Sequence, residues 1–178
     1  MKLRSLLLLS SFVGLGLAAT ARAEKILPLA NGDFEAQLTG WNAANDNGMS
    51  AVSAEAARAG KAGLRVTDAS DTLGSSVASK RFPAAPGKTY EVRFAGRVVS
   101  GAGIAVYVRF YDAKGAGLNS PEKKNQVLKA LAARDREWAD HAVRGIAPEG
   151  AAHVEVWIHS YSKNKVTADF DNVVLAER

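Results

Sequence analysis

Eight stretches of this chain alternate apolar and polar residues, and a period of two restricts what they can form. They are "SAVSAE" (50–55), "AGLRV" (62–66), "SSVASKRF" (75–82), "TYEVRFAGRVV" (89–99), "IAVYVRFYD" (104–112), "WADHAVRGI" (138–146), "HVEVWIHSY" (153–161) and "VTADFDNVVL" (166–175). Alternation of this kind sends successive side chains to opposite faces of a strand, which no helix does. Turn signals fall between them, among them "ARAGKAG", "AAPGK", "SGAG", "AKGAG", "APEG" and "SKNK". Short strands at this spacing predict an all-β fold, an antiparallel β-sandwich or jelly roll. One segment departs from the pattern. In "NSPEKKNQVLKALAARDRE" (119–137), Ser120 suits an N-cap and Pro121 a first helical position, with Val127 and Leu131 at helical spacing. It reads as a short helix or an ordered crossing loop, its charges a solvated face.

The same period assigns faces. Val106, Val108 and Phe110 alternate with Tyr107, Arg109 and Tyr111; Val154, Val156 and Ile158 alternate with Glu155, Trp157, His159 and Tyr161; Val92 and Phe94 alternate with Arg93 and Arg97. The aliphatic set should fill the core. The second set is expected to lie together on one outer face, which is more Arg and aromatic surface than solubility requires. Trp41 and Trp138 each open a strand after a turn or loop and are expected to plug the sandwich at its core or rim. His141 and His153 lack metal-ligand spacing and are expected on the surface.

The first 23 residues read as a secretory signal peptide. Lys2 and Arg4 precede an apolar run from Leu6 to Ala19, and Ala21-Arg22-Ala23 is a cleavage pattern. Residues 24–178 then form one domain, secreted or periplasmic, with no later run able to span a membrane. Removing Lys2, Arg4 and Arg22 leaves 20 basic residues (23 − 3) against 18 acidic ones, so the domain gives no argument for nucleic acid. The chain has no Cys, so no disulfide braces it. A bound metal could.

Catalytic signatures are missing: no Cys nucleophile, no G-x-S-x-G, no H-E-x-x-H, no P-loop. Glycoside hydrolysis needs two facing carboxylates, and Glu155 is the only acid placed on the outer face. No catalytic residue is assigned. Trp157, Tyr107, Arg109, His159, Arg93, Tyr111 and Glu155 are the candidate ligand residues: rings that can stack on a ligand and polar groups that can hydrogen-bond it. Trp157 is the expected platform. Two alternatives stay open. A small polysaccharide lyase would use Arg109, His159, Tyr107 and Tyr161 on a uronate-containing glycan, and an exported protein-interaction or adhesion domain would use the same fold.

In order along the chain stand "NGDFE" with "GW", "ARAGKAGLRV", "PGKTYEVRFAGRV", "VYVRFYDAKG", "IAPEGAAHVEVWI" and "ADFDNVVL". This ordered set resembles the carbohydrate-binding modules of the family 4/9 (CenC-like) type, within the galactose-binding-like jelly rolls, over about residues 31 to 176. The resemblance implies a poly- or oligosaccharide partner and a structural calcium on the sheet edge; a monomer is expected. It places that ion on the Asp33 carbonyl, the Glu35 and Glu55 carboxylates, the Arg58 carbonyl and the Asp171 carboxylate, hard oxygens of the kind calcium accepts. Such modules usually belong to larger enzymes. Here the expectation is a free-standing binding protein.

Overall fold

The computed structural model describes residues 24–120 and 124–178; the expected signal peptide, 1–23, and Pro121 lie outside them. Twelve strands and one 3₁₀ turn, Ala54–Ala56, make up the regular structure of the described residues. The strands are β1 (Lys25–Ile26), β2 (Trp41–Asn42), β3 (Ser50–Ser53), β4 (Gly63–Asp68), β5 (Val77–Ser79), β6 (Phe82–Pro83), β7 (Thr89–Gly101), β8 (Ile104–Tyr111), β9 (Val127–Leu131), β10 (Ala139–Ile146), β11 (His153–Ser160) and β12 (Val166–Glu177). They form two sheets. The first runs β10-β7-β12-β4-β3, with β1 on β12; the second runs β2-β5-β11-β8-β9, with β6 on β11. Every pairing is antiparallel. The expected antiparallel β-sandwich of jelly-roll type is what forms.

The inward faces follow the alternation. Val106, Val108, Phe110, Val154, Val156, Ile158, Val92 and Phe94 are all at most 2% exposed and join one core. Burial of this apolar set, at roughly 25 cal/mol per Å², is the main favourable term in holding the layers together. Trp41 belongs to the core too, with its ring 5.2 Å from that of Phe34. Trp138 is half-buried at the rim beneath the Arg97 guanidinium, 4.9 Å from the ring centre. His141 and His153 are half-buried rather than exposed.

Two expectations are corrected. The 119–137 segment holds no helix among its described residues; its core is the strand β9, paired with β8 from Val108↔Val127 to Ile104↔Leu131. A spacing of four between Val127 and Leu131 fits a strand face as well as a helix face, and β8 has an open edge whose N–H and C=O groups need partners. The second correction concerns Arg93 and Arg97. Strand period decides in from out but not which sheet a strand joins. β7 lies in the first sheet, so these two arginines face away from the surface of β8 and β11.

Of the acidic residues flanking Phe34 and Phe170, one is met by arginines and two by backbone N–H groups. Both rings are fully buried. Asp169, also fully buried, accepts from Arg65 Nε at 2.8 Å and Nη2 at 3.1 Å and from Arg97 Nε at 2.9 Å. Asp171 accepts the backbone N–H groups of Arg58 (2.8 Å), Ala59 (3.1 Å) and Asn172 (2.7 Å). Glu35 Oε1 accepts those of Lys61 (2.6 Å) and Ala62 (3.1 Å). The 58–62 turn is thus gripped from both ends of the domain. Gly60 makes the close approach possible: its φ is +68°, and a Cβ there would strike Glu35 Oε1.

Candidate functional site

On the outer face of the second sheet, β8 and β11 run side by side with Trp157↔Tyr107 and Glu155↔Arg109 in register. The polar half of each alternating strand therefore meets its counterpart across the pair. Glu155, only 6% exposed, accepts from Arg109 Nη2, from the Tyr111 hydroxyl at 3.1 Å and from Arg81 Nε at 3.4 Å. Arg81 lies flat over Tyr111, 3.5 Å from the ring centre, and Arg109 over Trp157 at 4.0 Å. His159 stacks on Trp157 with centroids 4.0 Å apart and planes 12° from parallel. The side chains form a ladder in which cations and rings alternate, Arg81, Tyr111, Arg109 and Trp157, closed by the His159 ring.

That ladder changes the role open to Trp157. Glu155, Trp157 and His159 follow one another along β11, and Arg109 stands opposite Glu155, so Arg109 and His159 approach the indole from opposite sides. Both ring faces are covered. The indole N–H donates to Ser76 Oγ at 3.0 Å. Trp157 presents an edge rather than an open platform.

Beside the ladder is a cavity of about 430 Å³, bounded by Tyr107, Arg109, Trp157, His159 and Tyr161 on one side and by Asn119, Gln126 and Leu128 on the other. β9 and the segment before it form the second wall. His159 Nδ1 lies 2.5 Å from the Ser75 carbonyl, which can only accept, so Nδ1 carries the hydrogen. In the neutral ring Nε2 is then an acceptor. Burial holds the His159 pKa below its ordinary value, favouring that neutral form. Burial, and then the neighbouring Tyr161 hydroxyl, hold the Tyr107 phenol well above its usual range. Burial likewise raises Tyr111.

Of the seven expected ligand residues, Trp157, Tyr107, Arg109 and His159 line this cavity, and Tyr111 and Glu155 brace Arg109 from behind. Arg93 is elsewhere, ion-paired with Glu24 at 2.7 Å on the first sheet. Arg81, Asn119 and Gln126 were missed. Arg81 could have been read from its place one residue before the inward Phe82; nothing in the period placed the other two.

The expected calcium ligands divide. Glu55 is exposed and paired with Arg65 Nη1 at 2.6 Å, so it does not fit. Among the described residues no three Asp, Glu, His or Cys side chains gather as a metal cluster. Glu35 and Asp171 both hold the 58–62 turn, which carries the Arg58 carbonyl, at its two ends, and Glu35 Oε2 takes no hydrogen bond among the described residues. Two carboxylates and main-chain oxygens are a donor set that suits calcium.

A family model described as a carbohydrate binding domain, of the 4/9 type, matches residues 29–163. The chain belongs to that family. Solved structures agree on the jelly-roll frame of this carbohydrate-binding module. "Family 16 Carbohydrate Binding Module-2" aligns with a TM-score of 0.63 at 18% identity, over 84% of this chain and 99% of its own. The xylan-binding domain CBM22-1 of Paenibacillus barcinonensis Xyn10C aligns at 0.53 and 19%, over 78% and 85%. The TmCBM61 module, in complex with beta-1,4-galactotriose, aligns at 0.53 and 18%, over 83% and 95%. At such identities the likeness is one of fold. Among curated proteins no match is found. No helix among the described residues is long and apolar enough to cross a membrane.

Proposed function

We propose that this module is an exported, non-catalytic protein that takes an oligosaccharide, or one stretch of a polysaccharide, into the cavity beside Trp157. One observation carries the reading: in a member of a carbohydrate-binding family, the concave site of the second sheet combines rings with convergent donors and acceptors. Tyr161, Leu128 and the indole edge offer apolar surface to sugar C–H groups, while Arg109, Asn119, Gln126 and His159 Nε2 meet hydroxyls. Stacking on an open Trp157 face is not part of the proposal. The module acts as a monomer, and its export rests on the signal peptide read from the sequence. A calcium ion on Glu35 and Asp171, with the Asp33 and Arg58 carbonyls, would brace the 58–62 turn; Glu55 is left out of the set. Burial makes Tyr107 a costly tyrosinate base at neutral pH, whereas the neutral His159 keeps an acceptor nitrogen on the cavity, so the lyase alternative is decided by its product.

The test is a glycan array probed with the purified protein and with Tyr161→Ala. Selective binding that weakens in the variant is expected. A blank array refutes the reading, and an unsaturated uronate product absorbing in the ultraviolet would turn it to the lyase.

A further inference from the structure

Arg109 is bonded less completely than the other buried-face arginines. Arg65 engages three nitrogens on two carboxylates, Nε and Nη2 on Asp169 and Nη1 on Glu55. Arg97 gives Nε to Asp169 and Nη2 to the Glu55 carbonyl. These are closed structural networks. Arg109 instead makes one hydrogen bond among the described residues, from Nη2 to Glu155, and its Nε is buried with no acceptor. A guanidinium carries five N–H donors in a fixed fork. Most of this fork is unspent.

Its counter-charge is divided as well. Glu155 serves both Arg109 and Arg81 and accepts the Tyr111 hydroxyl, so two guanidiniums share one carboxylate. On the cavity side, no described lining residue is Asp or Glu, and among the described lining residues Arg109 alone is permanently charged. Neutral sugars both donate and accept through their hydroxyls. The other polar groups of this wall, the amides and hydroxyls, both donate and accept, and His159 Nε2 accepts, so the charge of Arg109 is what sets this wall apart. The Trp157 and Tyr111 rings, 4.0 and 5.7 Å from the Arg109 guanidinium carbon, fix its plane in advance, which lowers the entropy cost of a bidentate contact.

We propose that the glycan held in this cavity is acidic, and that Arg109 receives a sugar-borne anion, a uronate carboxylate or a sulfate ester, with the Nη1 and Nη2 donors that Glu155 leaves free. The inference rests on the carbohydrate reading and narrows it to anionic sugars. Charge-assisted, bidentate bonds of this type are the strong ones in protein recognition.

The experiment measures binding to an array of acidic glycans that includes polygalacturonate, alginate, hyaluronan and heparin hexasaccharides, each beside its carboxyl-reduced or desulfated counterpart and a set of neutral glucans and xylans. Acidic members should bind and their neutralised counterparts should lose on the order of ten- to a hundredfold in affinity. Loss on carboxyl reduction identifies a uronate, and loss on desulfation a sulfate. Arg109→Gln should reproduce the loss and Arg109→Lys should recover part of it. The paired glycans test the wild-type protein directly, so the result stands even if a variant fails to fold. Equal binding of acidic and neutralised forms, or binding of neutral glycans alone, overturns the inference and leaves the carbohydrate reading in place. Binding to no glycan overturns both.

Discussion

Truncating Trp157 should cost stability as well as ligand affinity, although its strand position turns it away from the core. The indole is half-buried between Arg109 and His159, and its N–H is bonded to Ser76. A partly exposed cation–π contact contributes about 0.5–1 kcal/mol, a ring stack about 0.5–1.5 kcal/mol and a neutral hydrogen bond about 1 kcal/mol. Trp157→Ala should therefore lose roughly 3 kcal/mol, which for a domain of this size lowers Tm by on the order of 10 °C. Ser76→Ala, which removes only the hydrogen bond, should lose about a third of that. Thermal denaturation followed by circular dichroism, with the wild type alongside, reads all three. Glycan affinity should fall in Trp157→Ala because Arg109 and His159 lose the surface that orients them. A variant melting within a degree of the wild type would mean that the ladder contributes no stability and that the sandwiched ring is incidental.

Asp169→Ala leaves Arg65 and Arg97 facing each other without their buried carboxylate, and urea denaturation should show a loss of about 3–5 kcal/mol. The proposed calcium site predicts that EDTA lowers Tm and that Asp171→Ala removes the difference; identical melting with EDTA and with calcium would leave the 58–62 turn held by its hydrogen bonds alone. Burial lowers the folded pKa of both His159 and His141 below the ordinary value of about 6.5. The unfolded chain then binds more protons just below that pH, so stability should be full above it and fall as pH drops toward the folded values. A Tm series across this range should show the decline, and His159→Gln should flatten part of it.

The fold was legible because one physical rule, two-residue periodicity, controls burial in a two-layer sheet structure. Val106, Val156 and their neighbours had nowhere else to go. The site was only partly legible, for two reasons. Periodicity carries no information on sheet membership, which is why Arg93 was grouped with Trp157 although β7 is in the other layer. It also says nothing of what a side chain meets once it points outward: the covering of Trp157 by Arg109 and His159 depends on interstrand register. Val127 and Leu131 show a third limit, since a spacing of four satisfies both helix and strand. Only the unfilled edge of β8 decides between them.

The two ends of the described chain lie next to each other, Lys25 paired with Glu177 and Ile26 with Ala176 on the sheet that does not carry the cavity. Neighbouring strands run about 4.8 Å apart, so a few residues of linker would join these ends into a ring. A circular permutant reopened at the Pro148–Gly150 turn should keep every strand pair. A protein or solid support fused at either end would leave from the first sheet, and the glycan face would stay open to a large, insoluble polysaccharide.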